Sequence, residues 1–99
     1  MKKAPDLVAH AIDLTRQLRG HSDLSKVDVR AQRGALYVYP GADEDWSVAR
    51  LTPLGASSYG LSFHHHTGRW EPMPYSGTLA ELAAVIVEQL SPFLVDFQP

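Results

Sequence analysis

The sequence predicts an α+β domain built as a two-layer sandwich. An antiparallel sheet of four to five strands carries an N-terminal and a C-terminal helix on one face, in the order α-β-β-β-β-α. Three observations predict it. Apolar residues recur at helical spacing from Leu7 to Leu18. Residues 26–39 alternate between polar and apolar about Arg33-Gly34. Thr78-Leu79-Ala80-Glu81 opens a second apolar helix with a capping box. With 99 residues the chain is expected to be one domain over 1–99, because a single core rarely divides below roughly 250 residues.

The first helix is expected from about Pro5 to Arg19. Proline suits the first helical position, Asp6 the positive end, Arg16 and Arg19 the negative end, and Gly20 the stop. Leu7, Ala11, Leu14 and Leu18 form its buried stripe, with Val8 and Ile12 beside it. A polar turn follows at His21–Ser25. The first strand turns Val27, Val29 and Ala31 inward and Lys26, Asp28, Arg30 and Gln32 outward. A two-residue turn at Arg33-Gly34 then sets Ala31 opposite Leu36, Arg30 opposite Tyr37 and Val29 opposite Val38.

An acidic loop, Pro40–Asp45, leads to a third strand at about Trp46–Thr52. Its alternation groups Ala49 and Leu51 on one face and Trp46, Val48 and Arg50 on the other, without fixing which face is inward. A fourth strand is expected at Tyr59–His66 and a short fifth at Arg69–Glu71. A two-residue turn at Thr67-Gly68 would pair His65 with Trp70 and His64 with Glu71. Tyr59, Leu61, Phe63, His65 and Trp70 would then face the core, and Pro72 and Pro74 would end the sheet. The last helix runs from Leu79 to about Leu90, and Ser91-Pro92 caps a final turn carrying Phe93 to Phe97. Its apolar surface is wider than one sheet face needs.

Composition narrows the function. The chain has no cysteine, which excludes a disulfide scaffold, a thiolate zinc site and a cysteine nucleophile. No apolar run approaches the ~20 residues of a membrane span, and no signal peptide is read at the start, so the cytoplasm is the expected compartment. Residues 1–39 hold seven Lys/Arg against four Asp/Glu, and residues 40–99 hold two against seven. The net charge of −2 lacks the basic excess that duplex nucleic acid demands. Scarce lysine and abundant alanine, arginine, leucine and glycine fit a GC-rich bacterial genome.

Four groups of residues carry chemistry worth weighing. His64 and His66 share a strand face and could hold one metal with Glu71, His10 or His21. Too few ligands converge, however, and no metal or cofactor is expected. His10 lies four residues after Asp6, yet no nucleophile elbow accompanies the pair, so no catalytic residue is assigned. The outer sheet face gathers Arg30, Tyr37, Tyr39, Arg50, His64, His66 and Arg69, with Trp46 as a further candidate. Rings interleaved with cations suit a planar ligand or unpaired bases. Ala84, Val85, Val87, Phe93 and Phe97 form a candidate interface on the last helix and tail, because wide apolar surface is rarely left wet: either the tail residues 93–97 cover the excess or a second subunit does.

From Gly34 onward the order Gly34–Pro40, Val48–Leu51, Tyr59–Phe63, Thr67–Trp70 and the leucine-rich helix after Thr78 resembles a group of small bacterial α+β proteins of unknown function. That resemblance implies the fold and transfers no functional residue. The helix–sheet–helix order is also similar to double-stranded RNA-binding domains, but residues 77–88 contain no Lys or Arg. The expectation is a non-enzymatic protein-interaction module, homodimeric through the C-terminal helix and tail. The alternative is a ligand or single-strand nucleic-acid binder on the outer face.

Overall fold

Asp6 caps the first helix, its carboxylate accepting from the Ala9 N–H at 3.1 Å. The computed structural model describes residues 6–94, so Pro5, expected at the helix start, and Phe97, expected at an interface, lie outside the described residues. Helix α1 spans Leu7–Arg19 and buries Ala11, Leu14 and Leu18. A short 3₁₀ turn at Ser22–Leu24 leads into the sheet. The strands are β1 Asp28–Gln32, β2 Ala35–Tyr39, β3 Ala49–Pro53, β4 Tyr59–His64 and β5 Trp70–Gly77. They form one antiparallel sheet in sequential order, so β1 and β5 are its two edges.

The β1–β2 hairpin has the expected register, with Val29 opposite Val38, Arg30 opposite Tyr37 and Ala31 opposite Leu36. Arg33 (φ 53°) and Gly34 (φ 75°) both take left-handed backbone, the turn whose twist matches the strands it joins.

Helix α2, Leu79–Val85, continues through a wide π-helical turn at Ile86–Leu90 into α3, Ser91–Leu94. Pro92 has no N–H to return to the Glu88 carbonyl, and the rod loosens in the turn before it. Thr78 and Glu81 form the reciprocal cap. Gly77 makes this possible: at φ 151° a Cβ would stand 2.5 Å from the Glu81 carboxylate. The Thr78 N–H holds that carboxyl below the usual carboxylate range. Leu79, Leu82, Ala83, Ile86, Leu90 and Leu94 make one buried stripe. They share a core with Leu14, Leu18, Val29, Leu36, Val38, Leu51, Tyr59 and Leu61, so both helices cover the same sheet face.

Three expectations are corrected. The β4–β5 turn has three residues, because Gly68 (φ 91°) closes on the His65 carbonyl and His65 pairs with Arg69. That one-residue shift pairs His64 with Trp70 and Phe63 with Glu71, and it moves Trp70 from the core to the outer face. The fourth strand therefore ends at His64, and His65 sits at the turn. The fifth strand runs through Pro72 and Pro74 to Gly77, since an edge strand tolerates missing donors. Val48 joins the core instead of facing out with Trp46 and Arg50. Its N–H bonds the Val38 carbonyl and its carbonyl accepts from His64, so it precedes the regular pairing of β3.

Candidate functional site

The face of the sheet away from the helices carries a ladder of rings and cations. His64 lies between two indoles, stacked on Trp46 at 4.0 Å and on Trp70 at 4.1 Å. The Arg50 guanidinium sits 4.5 Å over Trp70 from β3, and Tyr37 meets Trp70 edge-on at 5.9 Å. The buried Arg50 Nε has no hydrogen-bond acceptor, so the indole face is what it meets. His64 Nδ1 lies 2.8 Å from the Ser47 carbonyl. A carbonyl only accepts, so Nδ1 carries the proton and fixes the ring's orientation.

A second cation–ring pair completes this face. Arg30 lies 3.8 Å over Tyr39, pairs with Asp28 at 2.9 Å and donates to the Ala42 and Glu44 carbonyls. The Asp28 carboxylate, more than Tyr39, raises the Arg30 pKa above its ordinary value. Arg30 thereby anchors the 40–46 loop beside the sheet. Tyr37 and Tyr39 are buried beneath these partners and form a small second core with Ala35 and Trp70. Of the residues read as an outer-face site, Arg30, Tyr37, Tyr39, Arg50 and His64 come together. His66 and Arg69 are exposed at the β4–β5 turn, where the His66 ring lies 4.3 Å from His65.

The ring on offer is Trp46, which remains 46% exposed. It lines a cleft of about 1150 Å³ with Arg19, Lys26, Glu44, Phe63, His65 and Phe93. This cleft joins the 40–46 loop, the β4–β5 turn and the end of the last helix.

On the C-terminal helix the candidate interface divides. Val85 and Val87 pack against the main core, whereas Ala84 and Phe93 are exposed and Phe93 leans on Phe63 at 5.0 Å. The larger exposed apolar pair is on α1, where Val8 is 65% and Ile12 56% exposed. With Ala11, Thr15, Val29 and Ala31 they line a groove of about 750 Å³ between α1 and the free edge of β1. The hairpin register directs the backbone groups of Asp28, Arg30 and Gln32 at β2 and those of Val29 and Ala31 outward, away from the sheet. Sequence reading missed this groove because Val8 and Ile12 looked like the margin of a buried stripe.

Asp6 and His10 do not form the acid–base pair that their spacing suggested. Asp6 caps α1, and the His10 ring reaches Nδ1 to the Tyr59 hydroxyl at 2.6 Å. Burial raises the Tyr59 pKa, so the phenol keeps its proton in this contact. Among the described residues no three His, Asp or Glu side chains gather as a metal-binding group. Nor is any helix among them long and apolar enough to cross a membrane.

By architecture the chain is a two-layer α+β sandwich with one covered and one ring-lined sheet face. No family model, curated protein or solved structure matches it.

Proposed function

We propose that this chain is a protein-interaction module that takes an extended segment of a partner along β1, beneath the exposed apolar pair of α1. The observation that supports this is the conjunction of Val8 and Ile12 with the outward backbone groups of Val29 and Ala31. An unpaired strand edge supplies hydrogen bonds in register, and an apolar wall beside it rewards a side chain of the incoming segment. The opposite edge suits this less, since Pro72 and Pro74 remove two donors from β5. Ala84 and Phe93, both exposed, are the part of the C-terminal interface that this reading retains.

The test is a photo-crosslinking amino acid at position 12 of the full chain in its native cell, with position 13 as the control. A protein adduct at 12 and none at 13 is expected. No adduct at 12, or equal labelling at both, overturns the reading.

Trp46 favours a second reading, a planar ligand that extends the indole–imidazole–indole stack into the cleft. Titration with oligothymidylate should quench tryptophan fluorescence in the parent protein and leave Trp46→Ala unaffected. A titration that changes nothing in the parent removes single-strand binding.

A further inference from the structure

Resting on the β1 docking reading, we infer that the segment taken up is β1 of a second copy of this chain, paired antiparallel about a two-fold axis at Val29. The geometry leaves few choices. In a two-fold antiparallel pair the outward groups of one copy must meet outward groups of the other. On β1 these belong to Val29 and Ala31, which permits three registers: Val29 opposite itself, Ala31 opposite itself, or Val29 opposite Ala31.

Charge separates the three. With Val29 opposite Ala31, Arg30 meets Arg30 of the second copy, and like charges directly opposite are destabilising. With Ala31 opposite itself, Arg30 meets a neutral Gln32. With Val29 opposite itself, Asp28 of each copy faces Arg30 of the other, and Val27 faces Ala31. The Asp28–Arg30 pair within each strand, 2.9 Å long, then becomes half of a four-charge square of alternating sign. This is the one register of the three that sets opposite charges across the seam, on the sheet face away from the helices. On the other face Val29 meets its own copy, and the exposed Val8 and Ile12 of both α1 helices flank the joint. The result is a continuous sheet with neither β1 edge left open.

Charged residues on an edge strand normally deter such pairing. Here Asp28 and Arg30 stand two residues apart with opposite sign, so a two-fold axis between them converts the deterrent into a match. Charge complementarity of this kind also rejects other strands.

Sedimentation equilibrium of the full chain tests the inference. The parent protein should be a dimer in the micromolar range. Ile12→Asp, at an exposed position, should be a monomer with an unchanged circular dichroism spectrum. Asp28→Arg and Arg30→Asp should each weaken self-association by about tenfold or more, because each sets like charges across the seam. Mixing these two should restore dimerisation as a heterodimer, since each Arg then faces an Asp, although neither variant regains its internal ion pair. A parent protein that stays monomeric, a dimer indifferent to Ile12→Asp, or a mixture of folded variants that fails to associate overturns the inference. Should Arg30→Asp not fold, the Ile12→Asp comparison decides alone. A position-12 adduct with a different protein, together with a monomeric parent, would leave the docking reading standing and remove the second copy.

Discussion

Replacing Tyr59 with alanine is expected to lower the free energy of unfolding by about 4 kcal/mol, read from urea denaturation. Tyr59 is the largest side chain with no exposed surface, and its ring fills the space between β4 and the start of α1. Alanine leaves a cavity there and takes the hydroxyl from the His10 ring. Domains of this size are stable by about 5–15 kcal/mol, so the variant should sit close to its unfolding threshold. Tyr59→Phe keeps the ring and should cost about 1 kcal/mol, the net worth of one hydrogen bond.

The pH dependence separates the ring from the hydroxyl. Burial raises the Tyr59 pKa above its ordinary 10.0, so the folded state holds the phenol proton more tightly than the unfolded chain. That stabilisation is complete below the unfolded value and is lost as pH rises through the folded one. The urea midpoint should therefore fall on the alkaline side of about pH 10, and Tyr59→Phe should flatten that fall. An alkaline limb identical in the two proteins would mean that Tyr59 does not titrate with folding.

Tyr37→Ala is expected to cost about 3 kcal/mol, seen as a Tm drop of more than about 12 °C. The sequence places Tyr37 on the outer face among rings that suit a planar ligand. Tyr37 is instead 8% exposed, closed over by Trp70, and belongs to a second core on the outer face. Tyr37→Phe should stay within about 1 kcal/mol of the parent, because the ring does the packing. A Tyr37→Ala variant that melts with the parent would mean that this face is not packed at all.

How much of this was legible follows from the range over which each signal acts. The β1–β2 register could be read residue by residue, because a two-residue turn and a period of two leave one pairing that keeps Val29, Ala31, Leu36 and Val38 together. The Thr78–Glu81 cap could be read because its partners are three residues apart. The β4–β5 register could not, because Thr67-Gly68 fits a two-residue turn as well as the three-residue turn that Gly68 closes. One residue of difference then carried Trp70 to the other face. The stack around His64 depends on that shift, so half of the ring ladder was hidden with it.

From its order of residues alone the chain set its two helices, its hairpin at Arg33-Gly34 and the inward face of β1 and β2. Periodicity and caps act within a few neighbours and need no knowledge of what lies across. Tertiary structure decided which apolar residues stay wet. Val8 and Ile12 are as hydrophobic as Leu14, but α1 lies above an edge strand, and among the described residues no further strand covers that side of it. Val85 and Val87 found cover on the main core. Burial belongs to the neighbours that a fold supplies, and those are set by strand order across the whole sheet.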